Sequence, residues 1–107
     1  MMEAPKRVRA EDVRASLEAI VDPQSGLNII DLGLIYGIRV EKDRIEVDMT
    51  LTNPESPTAG TLATEVEQAV RGAFAEIDNV EVSLVFEPPW TLECLSDKGR
   101  ATLGYRA

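Results

Sequence analysis

The chain has 107 residues, room for one domain with a modest core and not for two. Its 11 Lys+Arg against 19 Asp+Glu leave a net charge of −8, which argues against non-specific nucleic-acid binding and against adhesion to an anionic membrane. One Cys and no His exclude an internal disulfide, a His-based triad and a four-ligand Cys/His zinc site within one chain.

Residues 1–10 read as a flexible arm, and 11–107 as a single domain. The arm is basic but no apolar stretch follows it, so it is not a secretory signal. No apolar run approaches the ~20 residues of a membrane span. The expected compartment is the cytoplasm. From Ile45 to Asp97, Arg71 is the only basic residue, against eleven acids. Such a surface is read first as a device for solubility.

From Glu11, apolar residues fall at Val13, Leu17, Ile20 and Val21, one stripe of an amphipathic helix. Asp22-Pro23 is its expected end, because the residue before Pro is pushed out of helical geometry. The loop that follows, to Gly33, is unusually apolar, with Leu27, Ile29, Ile30 and Leu32 expected to pack on the body.

Leu34, Tyr36, Ile38 and Val40 then alternate with Ile35, Gly37, Arg39 and Glu41. After Lys42-Asp43, Ile45, Val47, Met49 and Leu51 alternate with polar residues, completing an antiparallel hairpin with one apolar face. The breaker cluster Thr52–Pro57 precedes a second helix with the stripe Leu62, Val66, Ala69, Val70, Ala73 and Phe74. Ser56-Pro57 is the start signal: Ser accepts from an orphan amide, and Pro lacks the N–H that would go unpaired.

A third strand follows Asp78-Asn79, with Val80, Val82, Leu84 and Phe86 expected inward. Glu87-Pro88-Pro89-Trp90 stops it, and one of the prolines is a candidate for a cis bond. Ser96 is expected to cap a last short helix, Asp97 to Leu103, closed by Gly104. The order α-β-β-α-β-(α) predicts an α+β two-layer sandwich, a three-stranded sheet with helices on one face. Pattern alone does not place the third strand in the sheet. Ile35 and Val85 are expected to be exposed on the polar sheet face, which suggests self-association as a homodimer.

Several groups could carry chemistry. Thr50, Thr52 and Ser56 converge on the junction of the second strand and second helix, where a helix N-terminus can hold an anion; a plain N-cap is the simpler reading. Asp22, Asp31, Glu55 and Glu87 could converge on a hard cation or stand as solvated turn carboxylates. Trp90, on a Pro-fixed loop, is either a pocket or partner-binding wall or a cover for the end of the core. Cys94 lies just ahead of the last helix, where a thiol pKa falls if the sulfur reaches the amides; a lone Cys is more often an apolar filler.

Five blocks occur in order: Asp22-Pro23; Asp31-Leu32-Gly33-Leu34-Ile35-Tyr36; Met49-Thr50-Leu51-Thr52 with Pro54; Glu87-Pro88-Pro89-Trp90-Thr91; and Leu95-Ser96 with Leu103-Gly104. In these the chain resembles the PaaD/SufT-type metal-sulfur cluster biosynthesis family, over about Glu11 to Gly104. The resemblance implies a small α/β sandwich. It also implies a non-catalytic accessory factor in iron–sulfur cluster assembly or metalloenzyme maturation, with a client metalloprotein or the assembly machinery as partner. An accessory subunit of a multicomponent oxygenase and a small-ligand pocket protein are the alternatives.

The family site maps onto Asp22, Gln24, Thr50, Thr52, Asn53 and Ser56, with Asp31, Glu87, Trp90 and Cys94 as a further pocket or partner surface. Asp22 and Thr52 match the family pattern. Gln24 stands where the family has Glu, Asn53 where it has Thr, and Ser56 where it has Cys. The last exchange removes a dipole-stabilised thiolate, a soft ligand for iron. Direct iron–sulfur ligation is therefore not expected of this chain.

Overall fold

The computed structural model describes residues 8–23, 25–52 and 59–104. Helix α1 spans Ala10–Leu17 and presents buried Val13 and Leu17 to the core. Asp12 accepts from the Arg9 amide (2.9 Å), which satisfies one donor at the helix start. Glu11 and Asp12 lie in the first turn, where the dipole favours acids.

The helix ends five residues before Asp22, earlier than the Asp22-Pro23 signal suggested. The reason lies in the next segment, which claims the backbone. Ile29 N donates to the Ile20 carbonyl (3.0 Å) and Asp22 N to the Leu27 carbonyl (2.8 Å), and Val21 bridges Asn28. Ile20 still reaches the core from this turn, whereas Val21 is 50% exposed and drops out of the predicted stripe. The apolar loop packs as expected: Leu27, Ile29, Ile30 and Leu32 are all buried.

Strand β1 (Ile35–Glu41) pairs antiparallel with β2 (Arg44–Met49) through the Lys42-Asp43 turn. Residue pairs run from Glu41 with Arg44 to Gly37 with Asp48, and then Ile35 faces Met49. Tyr36 is thus the extra residue of a bulge. The bulge turns Ile35 to the core side, so its expected exposure on the polar face is wrong: it packs half-buried against the core, and Val85 is also half-buried.

Helix α2 (Ala59–Ala73) buries Leu62, Val66 and Val70, with Ala69 and Phe74 partly covered and Ala73 exposed. Its predicted start at Ser56-Pro57 lies outside the described residues. Strand β3 (Asn79–Leu84) lies parallel to β2, so the sheet order is β1-β2-β3 and the third strand takes the edge opposite β1. A helix joining two parallel strands is the ordinary solution for carrying the chain back to the same end of a sheet. Val80 is buried and Val82 partly so, but Leu84 and Phe86, expected inward, are 40% and 42% exposed. They sit at the end of an edge strand, beyond the cover of α2's buried stripe.

Helix α1 packs on α2 and β1, and α2 on β3, giving the two layers. The core between them is built on Leu17, Ile29, Leu34, Ile45, Met49 and Val66. The other sheet face is polar. There Arg39 pairs with Glu46 (2.9 Å) and Asp48 (2.8 Å), and Arg44 reaches Glu46 and Glu81 (3.4 Å each). The Arg39 hydrogen bonds hold the Glu46 and Asp48 carboxyls below the usual carboxylate range and raise the guanidinium's own pKa. Among the described residues no helix is long and apolar enough to cross a membrane.

After β3 come a cis Glu87–Pro88 bond, a 3-10 turn at Leu92–Cys94 and helix α3 (Asp97–Leu103), the last element among the described residues. Helix α3 has the predicted ends: Ser96 Oγ accepts from Gly99 N (2.9 Å), and Gly104 closes it at φ +84°.

Candidate functional site

The 28–34 loop and the C-terminal segment meet along a chain of specific contacts. Asp31 is its hub. Its Oδ1 accepts from Ser96 Oγ and its Oδ2 from Asn28 Nδ2, both at 2.8 Å, and its carbonyl accepts from Ser96 N (2.8 Å). Lys98 Nζ stands 3.9 Å from the same carboxylate. One residue thus ties the loop to the cap of α3, and the acid is held in place as a structural partner.

Glycines make the close approach possible. A Cβ on Gly33 would overlap the Cys94 carbonyl oxygen and lie 2.6 Å from its carbonyl carbon; one on Gly99 would stand 2.8 Å from the Asp31 carbonyl oxygen. Gly33 also needs φ +80°, a conformation open to glycine. The Trp90 indole Nε1 donates to the Leu32 carbonyl (2.7 Å). Of the two readings of Trp90, this geometry favours a cover over the end of the core, with its polar handle satisfied.

Next to this junction, side chains from three segments gather. Tyr36, displaced by the bulge, donates its hydroxyl to the Pro88 carbonyl (2.8 Å). Cys94 and Thr50 lie close enough to influence its titration. Burial raises the Tyr36 pKa above the usual phenol value; the Cys94 charge and hydrogen bond add to the rise, and the Thr50 hydroxyl opposes it. Thr50 is 1% exposed, and its N–H donates to the Leu34 carbonyl (2.7 Å). Cys94, the chain's one thiol, is half-buried at this cluster.

The predicted site residues therefore divide. Thr50 and Cys94 come together, around Tyr36. Asp22 is buried in its own turn, accepting from Ser25 N (3.0 Å). Thr52 and Glu87 are exposed. Gln24, Asn53 and Ser56 lie outside the described residues. Tyr36 was missed as a site residue because alternation counted it as one more inward side chain; the residue pattern carries no mark of the bulge. An open groove between α1 and β1, lined by Ala10, Arg14, Ile35 and Ile38 among others, includes none of the predicted site residues.

The donor chemistry does not fit a cluster held within one chain. Iron–sulfur clusters are held mainly by several thiolates, and the sequence supplies one Cys and no His. Among the described residues no group of three His, Cys, Asp or Glu is placed to hold a metal ion.

Comparison with known proteins gives the arrangement a family. The model of the family described as "Iron-sulfur cluster assembly protein" matches residues 10–84. The Fe-S protein maturation auxiliary factor YitW of Bacillus subtilis is 35% identical over 95 residues, 88% of this chain and 92% of the relative. The auxiliary factor SufT of Staphylococcus aureus is 35% identical over 86 residues, 79% of this chain and 97% of the relative. Among solved structures, a Bacillus anthracis domain of unknown function superposes with a TM-score of 0.84 at 32% identity, covering 91% of this chain and 92% of the other. A conserved hypothetical protein of Thermotoga maritima gives a TM-score of 0.78 at 37% identity, covering 94% and 99%. The match spans the sheet, both long helices and the Tyr36 bulge: this chain belongs to the iron–sulfur cluster assembly protein family.

Proposed function

We propose that this chain is an accessory factor in the maturation of iron–sulfur proteins and acts by contact with a client or with the assembly machinery. It is not itself an enzyme and does not hold the cluster. The family membership and the names of the B. subtilis and S. aureus relatives support the maturation role. A Mycobacterium tuberculosis structure described as associated with Fe-S complex assembly and repair, with a TM-score of 0.52 at 30% identity, points the same way.

The observation that carries the second half of the reading is the sulfur inventory. Ser56 stands at the position where the family resemblance places Cys, and the remaining thiol, Cys94, is a single half-buried group. A hydroxyl has no comparable affinity for iron, so what the family scaffold retains is its shape and its surface. Gln24, Thr52, Asn53 and Ser56 then mark a recognition region in place of a ligand set; Asp22 and Thr50 are buried.

The test is genetic and biochemical. Deleting the gene in its host should lower the activity of cluster-dependent enzymes while their polypeptides persist. The wild-type gene and a Cys94→Ala form should both restore activity. Unchanged cluster-enzyme activity in the deletion strain would contradict the maturation role. Failure of Cys94→Ala alone, with its protein level intact, would contradict action by contact without a thiol.

A further inference from the structure

The two edges of the sheet are unlike. The β1 edge carries the bulge at Tyr36, a device that disturbs further pairing. The β3 edge has none: its pairing with β2 runs without a shift from Asn79 to Leu84, and no Pro, Gly or Lys occurs between Asn79 and Phe86. Asn79 N donates to the Asp43 carbonyl (3.2 Å) and Val85 N to the Met49 carbonyl (2.8 Å), so odd-numbered residues direct their backbone groups to β2. Those of Val80, Val82 and Leu84 point the other way. Arg71 Nη2 donates to the Val80 carbonyl (3.2 Å) and closes that end. Val82 and Leu84 keep donors and acceptors that no described residue pairs. Leu84 and Phe86, two of the most exposed large apolar side chains among the described residues, stand at the same place.

We infer that the β3 edge at Val82–Phe86, which no described residue pairs, is a docking site for an extended segment of a partner protein, apolar at alternate positions and flanked by basic residues. Each part of that description answers a feature of the edge. Unpaired alternate backbone groups are matched by an extended strand. Leu84 and Phe86 call for apolar side chains on the same face. Glu87, and Glu81 beside its ion pair with Arg44 (3.4 Å), bracket the segment on a chain of net charge −8, which calls for Lys or Arg at the flanks. A second copy in the antiparallel register that sets Leu84 on Leu84 would set Glu81 against Glu87, like charges directly opposite, whereas a segment with basic flanks meets these acids with opposite charge. The inference concerns how a partner is gripped and holds whether or not that partner is an iron–sulfur client.

The test uses the full chain and a synthetic peptide of alternating Val and Thr with Lys at both ends. A peptide with Glu in place of each Lys is the control. The basic peptide should bind saturably and slow hydrogen exchange at the Val82 and Leu84 amides by about tenfold or more, and the acidic one should bind about tenfold more weakly. Leu84→Pro removes an edge donor without touching the β2 ladder and should abolish the protection. Leu84→Thr keeps the strand and should weaken binding, so the result stands even if the proline variant misfolds. The inference is overturned if the basic peptide protects neither amide or if both variants bind it as the wild type does. It is overturned equally if the edge amides are already protected without peptide in a manner that grows with protein concentration, which is pairing with a second copy.

Discussion

Substituting Gly33 by Ala tests whether the C-terminal segment is seated against the 28–34 loop as described. Two costs act there. The φ of +80° is unfavourable for a residue with a Cβ, by about 1–2 kcal/mol. The new Cβ also overlaps the Cys94 carbonyl oxygen and stands 2.8 Å from the Cys94 Cβ, and forcing a backbone apart in a packed site costs about 1–3 kcal/mol more. The expected total is about 2–5 kcal/mol, a large share of the ~5–15 kcal/mol that holds a small domain together. Gly26→Ala is the internal control. It has nearly the same φ, +77°, but nothing lies within 4 Å of its Cβ position, so only the first cost applies, about 1–2 kcal/mol. Denaturant unfolding of both variants, with equal m-values, measures the difference. Local readouts should follow for Gly33→Ala alone: faster thiol labelling of Cys94 and a changed emission from Trp90, whose indole bond to Leu32 sits on the same junction. Equal destabilisation by the two substitutions, with Cys94 labelling unchanged, would refute the close contact of Gly33 with Cys94.

Three further outcomes follow from the geometry. Ser96→Ala removes the α3 cap and a bond to Asp31 together, and should cost about 0.5–2 kcal/mol by chemical denaturation. Tyr36→Phe should change the alkaline arm of the stability curve. The folded-state pKa of Tyr36 is raised, so its contribution is fully present below the unfolded value near 10 and is lost as pH rises through the folded value. The wild type should therefore lose stability above about pH 10 by a component that the Phe variant lacks. Arg39→Gln should act at the acid end. Glu46 and Asp48 have depressed pKa values, so the stability they supply is present above about pH 4 and lost as pH falls through their folded values. The variant's acid unfolding should be shallower over that window, and added salt should narrow its difference from the wild type.

The parts of the fold legible in the residue pattern are those where one local rule acts without competition. Ile45, Val47 and Met49 alternate in the central strand, covered by helices on one side and polar on the other, and all three are fully buried. Ser96 and Gly104 bracket α3 because a hydroxyl and a left-handed residue are what helix ends demand. Where a distant segment competes, the pattern fails. Periodicity would carry α1 on to Val21, but the 27–29 segment takes the hydrogen bonds of 20–22 and the helix gives way. Leu34, Ile35 and Tyr36 are apolar in succession, so alternation accepts either register there, and the bulge is set by pairing with Met49 and Asp48. Leu84 and Phe86 keep strand alternation yet lie exposed, because pattern reports which side a residue faces and not how far a helix extends over it.

The site was legible to a different degree. The blocks around Asp31, Thr50, Trp90 and Ser96 mark the junction, and Asp31, Trp90 and Ser96 prove to be its fastenings. Their roles there are structural bonds, which residue type alone does not separate from ligand roles. Tyr36 joins Thr50 and Cys94 only through the bulge and the turn at Pro88, neither of which spacing reveals.

Anaerobic reconstitution with ferrous iron and sulfide tests the central claim most directly, read by visible absorbance with Ser56→Ala and Ser56→Cys in parallel. The wild type and Ser56→Ala should remain colourless after desalting, since oxygen stands where the family resemblance places sulfur. A stable brown chromophore on the wild-type chain that disappears in Ser56→Ala would show that this corner still grips iron, contrary to the account given.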